Sequence, residues 1–181
     1  MGIERLIDET IETWATERPD LAFASMSTSL KIGALVREVG DEISARMATL
    51  GINVGEFDVL ATLRRRGRGA VLTPKEIAAA AMVSPSGLTH RLVRLENMEL
   101  IVRTGDPADR RSALIRISPK GKRVVDKAIA IVVETEARLF GALLGSEHKA
   151  LDRILDRLIA HVDSAAAVET SVKATVKASA K

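Results

Sequence analysis

The side chains best suited to chemistry in this sequence are cations in a short polar turn, DPADRRS, between two apolar segments. The turn carries Arg110 and Arg111, and Asp109 can brace the second guanidinium through a charge-assisted hydrogen bond. A long cation at the tip of a hairpin can enter a narrow minor groove of DNA, where negative potential is concentrated. The turn therefore predicts contact with duplex DNA, with a solvated, salt-bridged turn as the alternative.

A helix predicted from Ser84 to Asn97 precedes this turn. Leu88, Leu92 and Leu95 fall on one side of it, which leaves the other side to small polar residues. Such residues in the first turns of a helix can approach base edges and phosphates in a major groove. The candidate DNA contacts on this helix are Ser84, Ser86, Thr89, His90 and Arg94. Each can also be an ordinary solvated residue, but the helix and the basic turn together favour binding to double-stranded DNA.

The remaining composition argues against other functions. His90, His148 and His161 are scattered, and the chain has neither a nucleophile elbow nor a phosphate-cradling glycine loop. We therefore expect no enzyme activity, no cofactor and no metal site. One Trp, three Phe and no Tyr leave no stacking platform for single-stranded nucleic acid. The absence of Cys rules out disulfides and thiol-based sensing.

Net charge and hydropathy narrow the setting of the protein. The formal net charge is only +3, so the position of the arginines, rather than their excess, points to DNA. The N-terminal segment lacks the pattern of a secretory signal, and no apolar run is long enough to cross a bilayer. We therefore expect a cytoplasmic protein with no membrane partner.

Hydrophobic periodicity predicts a mainly α fold with a small β-hairpin wing, a winged helix-turn-helix with N- and C-terminal dimerisation helices. The predicted divisions are an extra N-terminal helix (1–19), a main domain (28–163) and a basic, disordered tail (165–181). Within the main domain, the winged helix covers 55–117 and the dimerisation helices cover 28–50 and 118–163. Their apolar stripes exceed what one small winged domain can cover, so we expect a homodimer that meets a pseudo-palindromic operator.

Three Ser/Thr-Pro pairs mark predicted helix starts, at Thr73-Pro74, Ser84-Pro85 and Ser118-Pro119. Together with the order of the helices and the D-x-x-D-R-R turn, they resemble the MarR family of dimeric winged-helix regulators over about residues 28–163. The resemblance implies a repressor that leaves its DNA operator when a small ligand binds. Family members that sense organic peroxides use a cysteine, which this chain lacks.

Four further residues resemble the urate-responsive subgroup of this family: Trp14, Asp58, Arg91 and Arg103. The resemblance implies that Trp14 and Arg103 help to hold a purine anion. It also implies that the anion displaces Asp58 and that Arg91 passes this displacement to the recognition helix. Position alone puts Asp58 in an apolar run, where an acid is costly unless paired. Helical geometry turns Arg91 toward the protein.

Three alternatives to the urate hypothesis stay open at this point. The four residues can be a structural Asp–Arg pair and a packing Trp with no ligand. The same type of regulator can respond to a phenolic carboxylate such as salicylate. The chain can also be an architectural DNA-binding protein without an effector, which its basic C-terminal end favours.

Overall fold

The computed structural model describes residues 2–67, 69–81, 85–105 and 113–179, with only the backbone described at 85–86 and 165–179. The elements in chain order are α1 (Ile3–Glu17), α2 (Ala24–Ala48), α3 (Val54–Arg65), α4 (Pro74–Ala81), α5 (Pro85–Asn97), β1 (Ile101–Gly105), β2 (Ala113–Ile117), α6 (Pro119–Phe140) and α7 (Gly145–Ser179). The predicted fold class, mainly α with a two-stranded antiparallel hairpin, is confirmed. Helix α2 begins at Ala24, earlier than the predicted start at residue 28.

Side-chain caps fix where helices α4 and α6 begin. Thr73 and Glu76 form a capping box at the predicted helix start: the Glu76 carboxylate accepts from the Thr73 backbone N–H at 2.8 Å, and the Glu76 N–H donates to the Thr73 hydroxyl at 3.3 Å. At the start of α6, the Ser118 hydroxyl accepts from the Gly121 N–H at 2.9 Å. These caps hold the loops on either side of α5 and the hairpin.

The core of the first compact unit, residues 1–136, lies beneath α5 and the hairpin. The largest fully buried side chains include Met47, Ile52, Leu60, Leu63, Ile77, Leu88, Leu92, Leu95, Leu100 and Ile115. In the hairpin, Arg103 lies opposite Ile115. The backbone of Ile115 also exchanges two hydrogen bonds with Leu72, at 2.9 and 2.8 Å, which joins the hairpin to the segment before α4. The position of α5 is therefore set by a packed apolar face and by a hairpin that follows it directly.

The second compact unit, residues 137–181, shows a difference from the sequence prediction. A disordered tail was expected over 165–181, but α7 continues as a helix to Ser179. The physical reason is that Ala, Glu and Lys have high intrinsic helix propensity, so this segment can extend a helix without large side chains to pack. Near the start of the unit, the rings of Phe140 and His148 stack with centroids 5.2 Å apart.

Within the part of the chain that the structure describes, no helix is sufficiently long and apolar to span a membrane. The same residues contain no group of three or more His, Cys, Asp or Glu side chains arranged to hold a metal ion.

Candidate DNA-binding helix and effector site

Helix α5 has one buried and one exposed face, as the spacing of its leucines predicts. Leu88, Leu92 and Leu95 are at most 2% exposed, because they pack into the core of the first unit. Thr89 and His90 lie on the exposed face. A helix held through an apolar stripe, with small polar residues facing outward, can enter a major groove without losing its packing. We call α5 the recognition helix.

Several predicted DNA contacts lie outside the described residues. These are Ser84 before α5 and the turn residues Asp109, Arg110 and Arg111. The backbone of Ser86 belongs to the first turn of α5, and its side chain is outside the description.

Arg94, also predicted to contact DNA, is held by two protein groups. Its Nη1 donates to the Glu56 carboxylate at 2.7 Å and its Nη2 donates to the Gly51 carbonyl at 3.2 Å. Glu56 is buried, with 1% exposure, in the first turn of α3. On the helical wheel Arg94 flanks the polar face, and the buried carboxylate on α3 determines that it turns toward the protein. The sequence interpretation did not foresee these protein partners, and DNA contact by Arg94 stays a prediction.

Arg91 lies against the same turn of α3, but it is not fully paired. Its guanidinium sits over Gly55 so closely that a Cβ added at Gly55 would lie 2.5 Å from Arg91 Cζ. Arg91 Nη1 is buried and, among the described residues, has no hydrogen-bond partner. A buried donor without a partner costs more than a solvated one. The predicted inward orientation of Arg91 agrees with this geometry. The guanidinium can occupy this position because glycine has no Cβ at residue 55.

Asp58 lies one helical turn after Gly55 and experiences two opposing influences. Burial raises the pKa of the Asp58 carboxyl, and the positive charges of Arg91 and Arg65 offset that rise only in part. Asp58 makes no direct ion pair with any residue that the structure describes. Its charge is therefore stabilised through space by Arg91, without the hydrogen bonds that would fix it.

Asp58 also lines an open cavity of about 530 Å³ between α3, α4 and α6. The lining residues are Phe57, Asp58, Ala61, Thr62, Arg64, Arg65, Ala80, Ala81, Val125 and Ile129. Both cations of the cavity have protein partners, because Arg64 pairs with Asp126 at 2.8 Å and Arg65 donates to the Ala80 carbonyl at 2.6 Å. The volume lies in the range of small-molecule sites. A planar organic anion of moderate size is chemically compatible with apolar walls and two guanidinium groups.

The structure does not bring all four predicted effector residues together. Asp58 and Arg91 interact, but neither Trp14 nor Arg103 lines the cavity that contains Asp58. Trp14 is 49% exposed on α1 and borders a shallow depression with Glu9, Thr10 and Thr13. Arg103 is exposed on β1.

The sequence interpretation missed two residues that shape this region, Gly55 and Glu56. Glu56 had a readable signal, since Asn53 and Glu56 have the spacing and types of a capping box, and both of its hydrogen bonds are present at 2.9 Å. Gly55 had no such signal. Its importance comes from the approach of Arg91, which lies far along the chain.

Comparison with known proteins defines the class to which this fold and site belong. A model described as the MarR family matches residues 50–112. The HTH-type transcriptional regulator PecS of Dickeya dadantii is 30% identical over 159 residues, which cover 86% of this chain and 94% of PecS. An HTH-type transcriptional repressor of Mycobacterium tuberculosis is 27% identical over 71% of this chain and 88% of its own length.

A solved structure shows the same fold. The crystal structure of the S. aureus MepR–DNA complex superimposes with a TM-score of 0.66 at 22% identity, covering 73% of this chain and 96% of the MepR chain. Fold and site together define a winged-helix protein with an outward-facing recognition helix. The chain belongs to the MarR family. It is a DNA-binding transcriptional regulator and not an enzyme.

Proposed function

We propose that this protein is a homodimeric transcriptional repressor that leaves a pseudo-palindromic operator when urate or a related purine anion binds. The observation that carries the effector part is the position of Asp58. It lines a cavity, and its charge acts on Arg91 of the recognition helix. An anion in this cavity would repel the Asp58 carboxylate and change the surroundings of Arg91. A ligand that changes the partner of a buried cation can bias a helix between two positions.

On the DNA side, α5 enters the major groove and the turn after β1 reaches the adjacent minor groove. Repression, rather than activation, is proposed because the similar M. tuberculosis protein is named a repressor. The contacts we propose are Ser84, Ser86, Thr89 and His90 on the helix side, and Arg110 and Arg111 in the turn with Asp109 in support.

The dimer is supported by apolar residues that the single chain leaves exposed on α2. Ile32, Leu35 and Val36 follow one another at helical spacing and are 45%, 51% and 68% exposed. A two-fold partner would cover them and would present two recognition helices to a symmetric site. Sedimentation equilibrium should give twice the mass of the chain at micromolar concentration.

The effector is tested by a gel shift on duplex DNA from upstream of the protein's own gene, titrated with urate, xanthine and salicylate. We expect release by urate and a weaker effect of xanthine. If no purine causes release, the urate proposal fails while DNA binding stands.

The second candidate effector is a phenolic carboxylate. The observation in its favour is the cavity itself, which is lined mainly by apolar residues with Arg64 and Arg65 at its edge and lacks Trp14 and Arg103. Release by salicylate but not by urate would favour this class.

Arg111 provides the sharpest test of the wing. We expect Arg111→Ala to weaken operator binding by about tenfold or more, the cost of one specific arginine contact. Fluorescence anisotropy with the upstream duplex measures this, with Lys149→Ala as the control, an exposed cation on α7 outside the wing. An unchanged affinity of Arg111→Ala would count against insertion into the minor groove.

A further inference from the structure

Arg94 connects three elements through one guanidinium group. Nη1 binds Glu56 in the first turn of α3, and Nη2 binds the carbonyl of Gly51, just after α2. Gly51 has φ +78°, the left-handed conformation that ends a helix and turns the chain. Arg94 itself is on α5. The recognition helix is thus tied directly to the corner between α2 and α3.

Glu56 is the fixed end of this contact. One carboxylate oxygen accepts from Arg94 at 2.7 Å, and the other accepts from the Asn53 N–H at 2.9 Å. The Glu56 N–H in turn donates to the Asn53 side chain at 2.9 Å. With the side chain 2% exposed and both oxygens accepting hydrogen bonds, the carboxylate is held in one orientation. A buried acid held in this way favours one orientation of its partner.

We propose that Arg94 is a positioning residue for operator recognition, and that it acts by fixing the angle of α5 on the α2–α3 corner rather than by contacting DNA. This inference depends on DNA binding alone and not on the effector. The rival interpretation is a phosphate contact, because the Arg94 side chain is 54% exposed. The two interpretations make opposite predictions for Glu56.

The rivals differ because Glu56 is an acid. If Arg94 only contacted a phosphate, Glu56→Gln would leave DNA binding unchanged or strengthen it, since this substitution removes a negative charge near the phosphates. If Glu56 orients Arg94 and the helix, the same substitution weakens recognition of the operator. A buried acid that is needed for DNA binding is the signature of positioning.

The experiment measures fluorescence anisotropy for the full chain on two duplexes, one from upstream of its own gene and one of unrelated sequence. The variants are Arg94→Gln and Glu56→Gln, each measured across a series of KCl concentrations and below its melting temperature. Glu99→Gln is the matched control. It is the same substitution just after α5, in an exposed pair with Lys120 at 3.2 Å.

We expect both test variants to bind the upstream duplex about tenfold more weakly, the equivalent of one charge-assisted hydrogen bond. Their affinity for the unrelated duplex and their salt slope should match those of the unaltered protein. Glu99→Gln should bind both duplexes normally, because an exposed ion pair contributes little. A purely structural role would lower the active fraction on both duplexes alike, so the ratio between duplexes separates it from positioning.

Two results would overturn the proposal. One is a loss on both duplexes for Arg94→Gln with a salt slope smaller by about one, the mark of a phosphate contact. The other is normal or tighter operator binding by Glu56→Gln. If Glu56→Gln is unfolded at the assay temperature, Arg94→Gln decides the question through its salt slope and its duplex ratio.

Discussion

Arg91 and Arg94 lie three residues apart on the same helix and face the same turn of α3, yet their surroundings differ. Arg94 reaches a buried carboxylate and a backbone carbonyl, so its guanidinium has direct partners. Among the residues that the structure describes, Arg91 Nη1 is buried without a hydrogen-bond partner, and Arg91 acts on Asp58 through space. One contact has the hydrogen bonds of a permanent link, while the other has the incomplete bonding of a contact that can change.

This difference suggests how one helix can be both held and moved. The hydrogen bonds of Arg94 hold α5 at one angle, and under the proposed function a ligand-driven change at Arg91 would act against that hold. Incompletely paired buried groups are costly, and they persist where the surrounding structure holds them. Under the proposed function, a ligand in the cavity beside Asp58 would change the surroundings of Arg91, whose incomplete bonding makes the present arrangement easy to disturb.

Gly55→Ala should have the largest effect on this comparison. A Cβ at Gly55 would lie 2.5–2.7 Å from three atoms of the Arg91 side chain, so the guanidinium must move away from its position over residue 55. Because a flexible side chain can move, we expect the fold to keep its stability, with the helix gaining up to about 1 kcal/mol from Ala. Operator binding without ligand should weaken about tenfold, as in a population already shifted toward release, and urate should add little.

Gly145→Ala is the matched control for Gly55→Ala. It also places Ala in the first turn of a helix, and its Cβ would meet nothing within 4 Å. A normal urate response and normal operator affinity in Gly55→Ala would mean that Arg91 is not the changeable contact.

Asp58→Asn should have a smaller effect, confined to the release of DNA by urate. The amide keeps the shape of the side chain but loses the charge that an anion in the cavity would repel. We expect operator affinity close to that of the unaltered protein and a several-fold increase in the urate concentration needed for half-release. Gel-shift titrations measure both. A response identical to that of the unaltered protein would show that α3 is not the sensor.

The sequence predicted the features whose signal lies within a few neighbouring residues better than the contacts between residues far apart in the chain. The caps at Thr73 and Ser118 and the buried stripe of α5 are local patterns, and they were predicted correctly. Asp58 and Arg91 were singled out by residue types at positions that match the subgroup. The structure places Arg91 close enough to influence the Asp58 carboxyl electrostatically, and their proposed role in the effector response stays a prediction.

The protein partners of Arg94 could not be predicted from the sequence. Periodicity gives the angle of a side chain around its helix, and Arg94 lies on a flank where that angle favours neither water nor protein. The deciding partner, Glu56, is 38 residues away along the chain. The helical end of the chain differs from the prediction for another reason: the lack of large side chains was taken as a sign of disorder, although Ala, Glu and Lys favour helix.

The smallest expected effect concerns stability and the charge of Asp58. Burial raises the pKa of this carboxyl in the folded state. The folded protein therefore binds the proton more tightly than the unfolded chain. The stabilising contribution is complete below the ordinary pKa of an aspartate and is lost as pH rises through the folded pKa. Asp58→Asn cannot ionise, so its melting temperature relative to the unaltered protein should rise as the pH goes from about 3 to 7.

A control with the opposite sign is Glu76→Gln. Hydrogen bonds from Thr73 lower the pKa of Glu76, so that its contribution is present above the ordinary pKa of a glutamate and lost as pH falls through the folded pKa. Glu76→Gln should therefore fall in melting temperature relative to the unaltered protein over the same pH range. Parallel curves for Asp58→Asn and the unaltered protein would mean that the carboxyl is well solvated. The Asp58 carboxyl beside Arg91 would then carry no cost of burial, and the contact at Arg91 would differ less from the one at Arg94.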